Sequence, residues 1–185
     1  MFVLLSYLVP HSYGQTDNET LSSVTEWKTY QNELVGFSFD YPSSWDLNEK
    51  PNRFDSAADA EVSGNDMRFI VRKAIDRTED NPLKTSALLT STRSLQEGMS
   101  IDQGYTIIEP ADVKKYTVGG ERAGTFLVKH DDGISPAKAS QIIMVFHNGD
   151  GYMLNFWTPT ETFDNPETQN TITKILQSFK FSSSG

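Results

Sequence analysis

Apolar and polar positions alternate with period two from Phe37 to Tyr41, where Ser38 and Asp40 separate three rings. Successive strand residues point to opposite faces, so Phe37, Phe39 and Tyr41 share one face of a half-buried strand. Pro42-Ser43-Ser44 then has turn chemistry, and Trp45 begins the return. Four aromatics in this short stretch are either a buried ribbon or an exposed platform for a ligand such as a sugar. Large rings on one face with polar residues on the other favour the buried ribbon. Residues 52–66 are polar and acidic and suit a loop with one short strand. Met67 to Ile75 follows as a strand with Met67, Phe69, Val71 and Ile75 inward.

Helical spacing takes over next. Asn81 suits an N-cap and Pro82 the first helical position, while Asp80 complements the positive end of the dipole. Leu88, Thr92, Leu95 and Met99 fall at i, i+4, i+7 and i+11, one face of an amphipathic helix ending near Gly98. Val113–Val118 and Glu121–His130 flank Gly119-Gly120, a two-residue hairpin loop. Ser140–His147 is apolar on both sides, which predicts a central strand covered above and below. Asn148-Gly149-Asp150-Gly151 turns it into a strand from Tyr152 to Thr158. Asn165-Pro166 starts a last helix with Ile172, Ile175, Leu176 and Phe179 on its buried face. Strands joined by tight turns must be antiparallel. The predicted class is α+β, an antiparallel sheet flanked by helices on both faces in an α/β/α sandwich.

Composition narrows the function classes. The 185 residues suit one domain, and 37% hydrophobic residues can form a core without staples. There is no cysteine, which removes disulfides, thiolate nucleophiles and cysteine-based metal sites. Acidic residues outnumber basic ones by 25 to 16, a net charge of −9, with no Lys/Arg cluster. The footprint of a nucleic-acid binder is therefore missing, and anionic lipid would repel the chain.

The N-terminus predicts export. Phe2 to Val9 is apolar and is followed by Pro10 and Ser12-Tyr13-Gly14, like the apolar core and cleavage site of a secretory signal peptide. No Lys or Arg precedes the run, and it is far shorter than the ~20 apolar residues of a membrane span. The expected organisation is a signal peptide over 1–14, a polar linker over 15–23, one domain over 24–181 and a tail over 182–185. Asn18-Glu19-Thr20 in the linker is a glycosylation sequon.

Motifs for chemistry are incomplete. Gly36-Phe37-Ser38, Gly98-Met99-Ser100 and Gly133-Ile134-Ser135 lack the closing glycine of a nucleophile elbow. Gly119 to Thr125 has the glycines of a phosphate loop without its lysine. What remains is carboxylate and imidazole: Asp55, Asp59, Glu61 and Asp66 in one loop, Asp76, Glu79 and Asp80 before the first helix, and Asp131-Asp132 beside His130. Asn148-Gly149-Asp150-Gly151 resembles half a calcium loop beside His147. Oxygen-rich loops hold calcium or manganese, and imidazole adds affinity for manganese, zinc or copper. The candidate metal residues are His130, Asp131 and Asp132 at one site, and His147 and Asp150 at another. Antiparallel pairing across 131–139 sets His130 opposite about Ser140 and His147 opposite about Ala123. The two imidazoles are then about 23 Å apart, seven residues at roughly 3.3 Å each, so they form two sites and not one.

The quoted segments GFSFDYPSSW, YTVGGERAGTF, GYMLNFWTP and ITKILQSFKF together resemble the PsbP family, from about Trp27 to Phe181. The resemblance implies an α/β/α sandwich, also shared with a nuclear transport factor that binds the GTPase Ran. The best-known members are extrinsic subunits of photosystem II, which use a basic N-terminal arm to help retain calcium and chloride. The corresponding stretch here, Gln15 to Val24, is short, acidic and rich in Thr and Ser. That difference points to the exported, non-photosynthetic PsbP-like proteins, which occur in archaea among other sources.

The expected function is a non-catalytic extracytoplasmic accessory domain. It would be a monomer that binds a protein partner in a membrane-associated or surface assembly, with calcium or manganese as the possible ion. The alternative is a cell-surface hydrolase or metal-dependent enzyme using loop carboxylates. A third option, an intracellular adaptor like the Ran-binding relative, requires that the apolar N-terminus not be a signal.

Overall fold

The computed structural model describes residues 26–48, 58–74, 85–101 and 104–182. Hairpin chemistry organises most of it. Asn65-Asp66, Gly119-Gly120 and Asn148-Gly149 all have positive φ, between 49° and 86°. Turns of this kind match the right-handed twist of paired strands. They join β4 (Ala60–Gly64) to β5 (Met67–Ala74), β6 (Tyr105–Val118) to β7 (Glu121–His130), and β8 (Lys138–His147) to β9 (Asp150–Pro159). With β3 (Asp46–Asn48) these strands form one antiparallel sheet in the order β3-β4-β5-β9-β8-β7-β6. A second, three-stranded sheet pairs β2 (Phe37–Pro42) with β1 (Trp27–Asn32) on one side and β10 (Lys180–Phe181) on the other.

The large sheet is covered on both faces. Helix α1 (Thr85–Ile101) lies over β6, β7 and β8, where Leu95 and Met99 meet Phe126, Val128 and Ile142. The small sheet and helix α2 (Pro166–Ser178) cover the other face, burying Ile172, Ile175 and Leu176 against residues such as Phe156, Leu154 and Val145. This is the α+β sandwich that the periodicity predicts.

The aromatic stretch is a buried ribbon. Phe37, Phe39, Tyr41 and Trp45 all lie in the main core. Phe39 meets Phe69 of the large sheet edge-on at 5.0 Å and stacks over Phe179 at 6.1 Å, and Phe69 stacks on Phe156 at 4.4 Å. These rings lock the small sheet, α2 and the large sheet together.

Several boundaries depart from the sequence expectation. The first strand of the glycine hairpin begins at Tyr105 and not Val113, because register irregularities between Ile107 and Tyr116 break its alternation. Helix α1 runs through Gly98 to Ile101. At Gly98 an added Cβ would meet nothing, so the glycine there is exposed and does not stop the helix. Strand β8 starts at Lys138, which shortens the preceding loop. His130 therefore pairs with Lys138 and not Ser140, and Ala123 with Val145 and not His147. A shift of two residues keeps every side chain on its face. The central strand is β9, with β8 beside it. The turn after β8 is only Asn148-Gly149, since Asp150 already pairs with His147. Strand β4 supplies the one short strand expected in the acidic segment. The signal-like segment, the sequon, Ile75, the cap at Asn81-Pro82, Asp55, Asp76, Glu79 and Asp80 lie outside the described residues.

Candidate functional site

The start of α2 builds one wall of a cleft. Asn165 caps the helix by accepting a 2.9 Å hydrogen bond from the Glu167 amide, and Pro166 occupies the first helical turn. Glu167, Asn170, Thr171 and Lys174 then repeat at i, i+3, i+4 and i+7, a polar stripe beside the buried one. Trp27, Pro42 and Trp45 form the facing wall, and the β4–β5 turn closes the end with Asn65 and Asp66. The open cleft has a volume of about 830 Å³, within the roughly 300–1,000 Å³ of ligand sites.

Two indoles anchor this cleft differently. The Lys174 ammonium stands 4.0 Å from the Trp27 ring centre, a cation–π contact that ties α2 to β1. Trp45 is only 4% exposed, and its ring fills the space over Gly64. A Cβ at position 64 would stand 2.4 Å from Trp45 Cδ1, so only glycine admits the indole there. The Nε1–H of Trp45 is buried and has no acceptor among the described residues. The lining has hydroxyls, amides, two carboxylates and one ammonium, but no histidine. Such a surface offers hydrogen bonds and ring faces; it does not pair a nucleophile with a base.

The sequence-predicted metal residues lie elsewhere. His130 sits on the α1 face of the sheet, its ring 4.6 Å from Tyr105 and 6.2 Å from Trp157. Asp131 and Asp132 follow it but are engaged by their own loop. Lys129 and the Gly133 amide hold the Asp131 carboxyl below the usual carboxylate range. The Ser135 and Ile134 amides, at 2.8 and 2.9 Å, do the same for Asp132. His147 lies on the opposite face, stacked on Phe181 at 4.4 Å. Its Nδ1 faces the Glu121 carboxylate at 3.1 Å, and its Nε2 accepts from Asn148 at 3.0 Å. Asp150 instead pairs with Lys73 at 2.6 Å, which raises that ammonium above the ordinary lysine value. The strand between Lys138 and His147 spans nine steps of roughly 3.3 Å, so the imidazoles stand about 30 Å apart.

In the acidic segment, Glu61 forks with Arg68 through two 2.7 Å hydrogen bonds, and Asp59 accepts from the Lys73 amide. Among the described residues no three His, Asp or Glu side chains gather as a metal site requires. At the His130–Asp132 loop and at His147 and Asp150, calcium or manganese at millimolar levels is accordingly expected to add no thermal stability. A site filled a hundredfold above its Kd would instead stabilise by roughly 2.7 kcal/mol. A saturable rise lost in the Asp131→Asn, Asp132→Asn variant would place an ion in that loop.

The cleft residues of α2 had a signal in the sequence, since Glu167, Asn170, Thr171 and Lys174 share one helical face. That stripe looks like any solvated face until Trp27 and Trp45 are set opposite it. Chain order could not bring them together, because more than a hundred positions separate Trp45 from Lys174.

No family model and no curated protein matches this sequence. Solved structures do match. Cyanobacterial PsbP (CyanoP) from Synechocystis sp. PCC 6803 aligns over 85% of this chain and 94% of its own, at 13% identity and a TM-score of 0.57. LpqN, involved in cell envelope biogenesis of Mycobacterium tuberculosis, aligns over 85% and 91%, at 14% identity and 0.51. The Saccharomyces cerevisiae Ran-binding protein Mog1p aligns over 85% and 96%, at 9% identity and 0.51. The fold is therefore PsbP-like. No helix among the described residues is long and apolar enough to cross a membrane.

Proposed function

We propose that this chain is an exported, non-catalytic accessory domain that engages a protein partner through the cleft between α2 and the Trp27–Trp45 wall. The cleft's lining carries the proposal: the half-buried Trp27 indole, short hydroxyl and amide side chains, and charges placed without an acid–base pair. Indoles beside polar rims are the usual anchors of protein recognition. The similarity in fold to a Ran-binding protein and to a protein of cell envelope biogenesis supports a binding role in an assembly. The apolar Phe2–Val9 segment supports export, and a mature N-terminus at Gln15 is the corresponding expectation in mass spectrometry.

A photo-crosslinking residue at Thr171, on the cleft rim, tests the reading in the native host. The same residue at Glu97, on the exposed side of α1, is the control. One discrete adduct is expected from position 171 and none from 97. Identical adducts from both positions, or none from 171 in a chain recovered from the exported fraction, would overturn it.

A further inference from the structure

Glu167 lies in the first turn of α2, where its carboxylate complements the positive end of the dipole. Asp66, Glu161 and Asp164 add three exposed carboxylates at the same end of the molecule. Register puts them there: Arg68 pairs with Trp157, so Asp66 before β5 and Glu161 after β9 leave one edge of the sheet. None of the four forms an ion pair among the described residues. Lys174 does not balance them, since it lies seven residues along α2 from Glu167 with its ammonium over the Trp27 ring. The uncommitted charge of the cleft lining is therefore negative. A donor stands at the same end. Trp45 is 4% exposed, and its Nε1–H has no acceptor among the described residues. The indole edge that carries it lies over Gly64, next to the Asn65-Asp66 turn of the lining. An indole N–H can only donate, whereas the amides of Asn65 and Asn170 both donate and accept. From Glu167 to Lys174 the α2 wall runs about 10 Å at roughly 1.5 Å per residue, the reach of three residues of extended chain.

Building on the reading of this cleft as a partner site, we infer that its occupant is an extended, basic stretch of the partner's polypeptide. A lysine or arginine side chain of that stretch faces Asp66 and Glu167, and a main-chain carbonyl accepts from Trp45 Nε1–H. The Asn65 and Asn170 amides pair with its backbone. A polyamine would meet the carboxylates but offer the indole no acceptor. An acidic segment would set like charges against each other. An apolar one would desolvate the carboxylates without compensation. The net charge of −9 also draws a basic segment towards this chain.

Fluorescence anisotropy of the full chain with labelled short peptides of serine and alanine tests this. The peptides carry a pair of lysines, glutamates or leucines at alternate positions. The lysine peptide is expected to bind at least about tenfold more tightly than the others, the worth of one charge-assisted hydrogen bond. Acetylating its lysines should remove that advantage. Asp66→Asn with Glu167→Gln keeps both shapes, and asparagine tolerates the φ of 60° at position 66. This double variant should weaken the lysine peptide about tenfold and remove most of its salt dependence. Trp45→Phe should weaken it about fivefold, one neutral hydrogen bond, and leave the salt dependence unchanged. Equal binding of the glutamate or leucine peptide would overturn the inference, as would displacement by spermidine at equal concentration. So would lysine-peptide binding that survives the double variant or is untouched by Trp45→Phe in folded proteins. Binding by none of the peptides overturns it too, and a discrete adduct from position 171 would then still uphold the cleft as a partner site.

Discussion

Trp45→Ala should destabilise the protein by about 3–5 kcal/mol, the usual cost of deleting a large buried aromatic, while Trp45→Phe should cost about 1 kcal/mol or less. The contrast follows from two facts about one side chain. The indole fills the space over Gly64, so alanine leaves a cavity beside the core that binds the two sheets. Its Nε1–H is buried with no acceptor among the described residues, so phenylalanine removes an unsatisfied donor along with the lost volume. Urea unfolding of both variants would measure the pair. An alanine cost below roughly 1 kcal/mol with a loss of crosslinking from position 171 would turn Trp45 back into a ligand platform.

Gly124→Ala should cost about 1–3 kcal/mol, because α1 rests on β7 at that residue. A Cβ there would stand 2.1 Å from Thr92 Oγ1 and 3.1 Å from Thr92 Cβ. Thr92 has nowhere to turn: it is fully buried, and its hydroxyl donates to the Leu88 carbonyl at 2.7 Å. The helix must lift or the hydroxyl must give way. Thr92→Ala removes the first obstacle, so the double variant should recover about 1 kcal/mol or more of the loss, a coupling typical of residues in contact. Strictly additive effects would mean that the helix does not sit on Gly124 as described.

Much of this was legible along the chain because it depends on local chemistry. The period-two rings at 37–41, the Gly119-Gly120 and Asn148-Gly149 turns, and the Asn165-Pro166 cap each act within a few residues. They determine which segments are strands and helices, and tight turns then force antiparallel pairing. Where the alternation failed, the expectation failed too. The irregular pairing between Ile107 and Tyr116 hides the first half of β6 from any pattern count.

The candidate sites belong to the tertiary structure. Periodicity says that Trp45 is buried but not that Lys174, Thr171 and Asp66 gather near it. Alternation places Arg68, Ile70 and Arg72 on one face of β5 but cannot say that Leu95 and Met99 of α1 line one groove with them. Each histidine has a visible acidic neighbour in sequence, yet Asp150 pairs with Lys73, and the Asp131 and Asp132 carboxylates are taken up by Lys129 and nearby amides. Local propensity depends on neighbours within a turn of chain, so the amino-acid sequence alone settled the elements and their class. A site depends on which elements the fold lays side by side, and where α1 and α2 end on the sheet decided that.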